Sequence, residues 1–85
     1  MTTAEYIYNY RREHNLSQEE FGQKVGVNRA AVSKWEKGHV KEIKGKTILS
    51  ICRLIGVPPY ELMGWDEEFN SFSKLSNEVK LIEAI

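Results

Sequence analysis

Eighty-five residues allow one domain, and a chain of this size buries only about 60–65% of the surface that its unfolded form exposes, so the core must be compact. Apolar residues at 41% and charged residues at 28% exclude wholesale disorder; no apolar run nears the roughly 18 residues of a membrane span, and the N-terminus lacks a signal peptide's apolar stretch, which together predict a soluble, cytoplasmic protein. The formal charge of zero hides an asymmetry, because residues 1–60 carry 10 Lys and Arg against 6 Glu, whereas residues 61–85 carry 2 Lys against 6 Asp and Glu.

In chain order, helical spacing predicts five short helices and no sheet. The first runs from Ala4 to His14 behind a Thr3 cap, turns Ile7 and Tyr10 to one face, and stops at Asn15, a residue type that tolerates the left-handed conformation. Ser17 opens the second with a capping box completed by Glu20. That helix carries Phe21 and Val25 inward and ends at Gly26, after which Val27 packs under a turn. Asn28 caps the third helix, Arg29 to Lys37, in which Ala31 or Val32 and then Trp35 recur at helical spacing before Gly38. A basic loop leads to a fourth helix, Thr47–Ile55, with Ile48, Ile51, Leu54 and Ile55 apolar, closed by Gly56. Pro58 and Pro59 suit the first turn of a fifth, Pro59–Met63, stopped by Gly64.

Residues 1–64 thus form the predicted domain. The stretch 65–85 reads as an acidic, polar linker through Ser76 followed by a short helix bearing Val79, Leu81, Ile82 and Ile85. No stop signal closes that helix, which predicts either a chain that continues or a tail that becomes helical against a partner protein.

A single cysteine, Cys52, excludes an internal disulfide framework and a zinc site built on cysteines, and its apolar neighbours predict a buried core residue. His14 and His39 are read as isolated histidines, and no metal or cofactor is assigned. The chain has no glycine-rich phosphate loop, nucleophile elbow or His-Glu-x-x-His motif, and is not read as an enzyme. Trp35 and the tyrosines at 6, 8, 10 and 60 sit at helical spacing, which favours packing over stacking on bases.

The informative segment is 18–36. Two helices joined by a very short turn need a small residue where they touch and a glycine where the chain reverses; Gly22 and Gly26 supply these. Phe21, Val25, Val27, Val32 and Trp35 pin the second helix of the pair to the body of the domain, leaving Asn28, Arg29, Ala30, Ser33 and Lys34 outward. Between residues 28 and 53 there are seven basic residues against two acidic, the local excess that phosphate contacts require.

In the strings Leu-Ser-Gln-Glu-Glu-Phe (16–21), Val-Gly-Val (25–27), Val-Ser-Lys-Trp-Glu-Lys-Gly (32–38) and Leu-Ile-Gly-Val-Pro (54–58), the sequence resembles the phage repressor and Cro family, the XRE-like helix-turn-helix proteins. The ending Tyr-Glu-Leu-Met-Gly-Trp (60–65) resembles repressors of Gram-positive phages and prophages. The resemblance implies an all-α, five-helix lambda-repressor-like fold whose third helix enters the major groove of an operator. On that implication Arg29 and Lys34 read base edges, Asn28 and Ser33 meet base or phosphate, and Ala30 offers apolar contact to a thymine methyl. Gln18 meets phosphate at the start of the second helix, and Arg11 and Glu36 match positions of an inter-helix salt bridge.

Lys37, His39, Lys41, Lys44 and Lys46 complete the predicted interface. Lys44-Gly45-Lys46 stands where the family usually has a serine-type cap, placing cations at the positive end of a helix, an arrangement that makes sense if a DNA phosphate sits there; the alternative is that Thr47 caps the helix and the lysines face water. The partners implied are a palindromic operator, a second copy of the chain on that DNA, and an antirepressor or other protein through 65–85. A helix-turn-helix module that binds protein, and an antitoxin-type regulator with the same fold, are the competing readings.

Overall fold

The structure, a computed structural model, describes residues 1–65; the predicted linker and the helix bearing Val79, Leu81, Ile82 and Ile85 lie outside the described residues. The described chain is all-helical: α1 (Thr3–Glu13), α2 (Gln18–Val25), α3 (Arg29–Glu36), α4 (Gly45–Ile55) and α5 (Pro59–Leu62). None of these helices is long and apolar enough to cross a membrane.

Five side chains, one from each helix, are fully buried and meet at the centre: Ile7, Phe21, Val32, Ile51 and Leu62. Each stabilises the fold by roughly 1.5–3 kcal/mol relative to exposure, which is how so short a chain assembles a core. Val25, Trp35, Ile48 and Cys52 surround them, as their apolar spacing predicts, and the loop residue Ile43 joins them.

The local start and stop signals hold at most ends. Ser17 and Glu20 form the capping box of α2, with Ser17 Oγ accepting from the Glu20 N–H at 3.0 Å and Glu20 Oε1 from the Ser17 N–H at 2.9 Å. Asn15 takes a φ of 54°, and Gly26, Gly56 and Gly64 all have positive φ after their helices. Two caps differ from expectation. The cap of α1 is Thr2, in a second capping box with Glu5, and not Thr3. Thr3 is instead buried, its hydroxyl donating to the Leu62 carbonyl at 2.8 Å, so that the start of α1 is tied to the end of α5. The fourth helix begins at Gly45, two residues before Thr47, which therefore sits inside its first turn and does not cap it.

Candidate nucleic-acid interface

The crossing of α2 and α3 follows from Gly22. A Cβ there would lie 2.6 Å from the Val27 carbonyl oxygen and 3.3 Å from that of Asn28, so only glycine lets the backbones approach this closely. Gly26 then reverses the chain at φ +81°, a conformation costly for any side chain with a Cβ. Asn28 starts α3 by accepting the Ala31 N–H on its side-chain oxygen at 2.9 Å. With that oxygen committed, the outward group of Asn28 is its amide NH2, a donor.

The far end of α3 is fixed by charge. Arg11 of α1 grips both carboxylate oxygens of Glu36, Nε at 2.6 Å and Nη2 at 2.8 Å, while its Nη1 donates to the Leu16 carbonyl at 3.0 Å. The Glu36 hydrogen bonds raise the guanidinium's already high pKa. Gln18 Nε2 of α2 also reaches Glu36, at 3.4 Å, so one carboxylate ties three helices together. A bidentate charge-assisted pair of this kind supplies geometric definition as well as energy. The salt bridge implied for positions 11 and 36 is thus present.

Held at both ends, α3 buries Val32 and Trp35 and leaves Arg29, Ala30 and Lys34 exposed, with Ser33 half-buried. Beyond it the chain turns at Gly38 (φ +97°), where the His39 N–H returns to the Lys34 carbonyl at 3.0 Å, and Ile43 plugs the loop into the core. This anchoring leaves His39, Lys41 and Glu42 outward. Between α3, the loop and the start of α4 lies an open groove lined by Lys34, Lys37, Lys41, Lys44 and Lys46, with Glu42 the one acidic residue lining it among the described residues.

Eight of the sequence-predicted site residues line this groove: Asn28, Ala30, Lys34, Lys37, His39, Lys41, Lys44 and Lys46. Arg29 stands exposed on α3 outside the groove, while Ser33 and Gln18 are half-buried and do not line it. The α4 N-terminus faces the groove with Lys44 at its cap position and no side chain bonded there. Thr47 and Ser50 also line the groove and were not predicted; the four-residue offset of Ser50 from Lys46 and its three-residue offset from Thr47 were the available signal. Among the described residues no group of His, Cys, Asp and Glu is placed to hold a metal.

Trp35 and Tyr10 pack, whereas Tyr8 and Tyr60 are exposed. Trp35 is buried, and Tyr10 lies against His14 (centroids 4.0 Å apart) and edge-on to Phe21 (6.1 Å). Tyr8 is exposed under the Arg11 and Arg12 guanidinium groups, each 5.7 Å from its ring centre.

Comparison with known proteins agrees with this architecture. A family model described as helix-turn-helix matches residues 7–62, nearly the whole five-helix body. The chain is also 33% identical over 79 residues to the cryptic phage CTXphi transcriptional repressor RstR of Vibrio cholerae, a match covering 93% of this chain and 69% of that protein.

Proposed function

The chain belongs to the helix-turn-helix family of DNA-binding transcriptional regulators, of the phage repressor and Cro type, and from that premise we propose that it is a repressor that binds a palindromic operator in the cytoplasm. The observation that carries this reading is the continuity of the outward face of α3 with the five-lysine groove. A helix lying in the major groove offers its exposed residues to base edges and brings its neighbours to the flanking backbone.

Arg29 and Lys34 supply hydrogen bonds to guanine O6 and N7, and Ala30 offers only a methyl, suited to thymine. The Asn28 amide donates to base or phosphate, as does the Ser33 hydroxyl. Lys37, Lys41, Lys44 and Lys46 neutralise phosphates, and the uncapped N-terminus of α4 adds backbone N–H groups to the same task. Gln18, its side-chain amide directed at Glu36, meets phosphate with its backbone N–H at the start of α2. Two copies on half-sites about 34 Å apart would occlude polymerase, the simplest route from binding to repression. Residues 65–85 are the proposed contact for an antirepressor or other protein.

The test is titration of fluorescent duplexes, with the operator chosen by selection from random sequence, across a range of salt. Log K falling steeply with log salt, and two chains per selected palindrome, support the reading. A flat salt response, or no preference among duplexes, rejects it in favour of a protein-binding helix-turn-helix module.

A further inference from the structure

The five lysines of the groove are all exposed, and among the described residues none of them forms a salt bridge. That face concentrates ammonium groups without a fixed counter-charge. The sequence carries one elsewhere: residues 66–85 hold five Asp and Glu against two Lys, and Asp66, Glu67 and Glu68 are consecutive. This run lies outside the described residues.

The fold fixes where the acidic run begins. The Thr3 hydroxyl donates to the Leu62 carbonyl at 2.8 Å and the Trp65 N–H donates to the Tyr60 carbonyl at 2.7 Å, so the chain is tied down as far as the residue before Asp66. Just upstream, Met63 and Gly64 share a small cleft with Gly38 and Val40 of the loop that follows α3. Lys37 precedes Gly38 in the chain and Lys41 follows Val40, so the tail leaves the folded body beside the loop that carries both cations. At about 3.3–3.6 Å per residue, three residues carry carboxylates up to about 10 Å from Trp65.

We propose that Asp66, Glu67 and Glu68 occupy the lysine face in the free protein and compete with DNA phosphate for it, so that the chain limits its own affinity for duplex. The internal contact follows from charge and chain path; its effect on binding rests on the DNA reading above. Exposed ion pairs are individually weak, but a segment tethered this closely acts at an effective concentration in roughly the millimolar range, so it competes without tight binding. Salt weakens the internal contact as well as the contact with phosphate. The wild type therefore loses duplex affinity less steeply with salt than a chain whose tail is neutral at these positions.

The test compares the full chain with its variant Asp66→Asn/Glu67→Gln/Glu68→Gln by fluorescence polarisation on a random-sequence duplex of about two helical turns. At low salt the variant binds at least about fivefold more tightly. Its log K falls more steeply with log salt, and the two chains converge above about 0.15 M. A gain of affinity cannot come from misfolding. Glu78→Gln/Glu83→Gln, further along the chain, gives a smaller gain per charge removed. Without DNA, the backbone amide shifts of Lys37, Lys41 and their neighbours differ between the wild type and the triple variant. Equal affinities, unmoved amides, or an equal gain per charge in both variants overturn the inference and leave the DNA reading intact. If no duplex binds either chain, the DNA reading fails and the amide shifts alone judge the contact.

Discussion

Gly22 and Arg29 stand a few residues apart and carry opposite kinds of consequence. Adding one carbon at Gly22 drives it against the Val27 and Asn28 carbonyls, which are backbone atoms with nowhere to retreat. Gly22→Ala should lower stability by about 1–3 kcal/mol, read as a lower urea midpoint, because the α2–α3 crossing must open; an unchanged midpoint would show that the crossing is not tight. Arg29→Ala should leave that midpoint alone and cost about 1–3 kcal/mol in operator binding while relaxing preference at one base pair. Equal loss across all duplexes would move Arg29 from the bases to the backbone. Both residues are readable in the sequence, since a short turn demands the glycine and the helical period turns position 29 outward. Thr3 is not readable in this way: its hydroxyl is paired with a carbonyl 59 positions away, and adjacent threonines at 2 and 3 fit a local cap equally well until Glu5 selects Thr2.

Among the elements, the N-termini of α1 and α2 contrast with that of α4. Glu5 and Glu20 accept the N–H groups of Thr2 and Ser17, and these hydrogen bonds lower both carboxyl pKa values from the ordinary 4.5. The charged boxes therefore contribute stability above that value and lose it as pH falls through the lowered folded-state values. The double variant Glu5→Gln/Glu20→Gln, which keeps the hydrogen bonding without the titration, should show a shallower loss of stability below pH 4.5 in urea melts; an identical acid limb would assign the loss to other carboxylates. The α4 terminus has no such box, and its neighbours Lys44 and Lys46 are cations. Replacing both with alanine should weaken binding to all duplexes alike and flatten the salt slope by about 0.9 for each phosphate no longer neutralised; a weakening confined to one operator sequence would contradict the backbone assignment. The lysines and the missing serine-type cap are visible in sequence, but the two-residue earlier start of α4 is not. The loop's path depends on Ile43 finding the core, which tertiary packing decides.

At the scale of the whole molecule, the five apolar helix periods predict a common core, and one fully buried residue from each helix meets there. The order and crossing of the helices are not contained in those periods; they come from Gly22, the Arg11–Glu36–Gln18 cluster and the Thr3–Leu62 link, all of which join separate elements. The same packing collects lysines scattered from position 34 to 46 into one groove, turning a chain of zero formal charge into a body with one strongly basic face. Mapping backbone amide shifts by NMR as duplex DNA is titrated into the chain tests that arrangement most directly. The account predicts perturbations centred on Arg29, Ala30, Lys34 and residues 39–46; perturbations centred on Tyr8 and Tyr60, with this face unchanged, would contradict it.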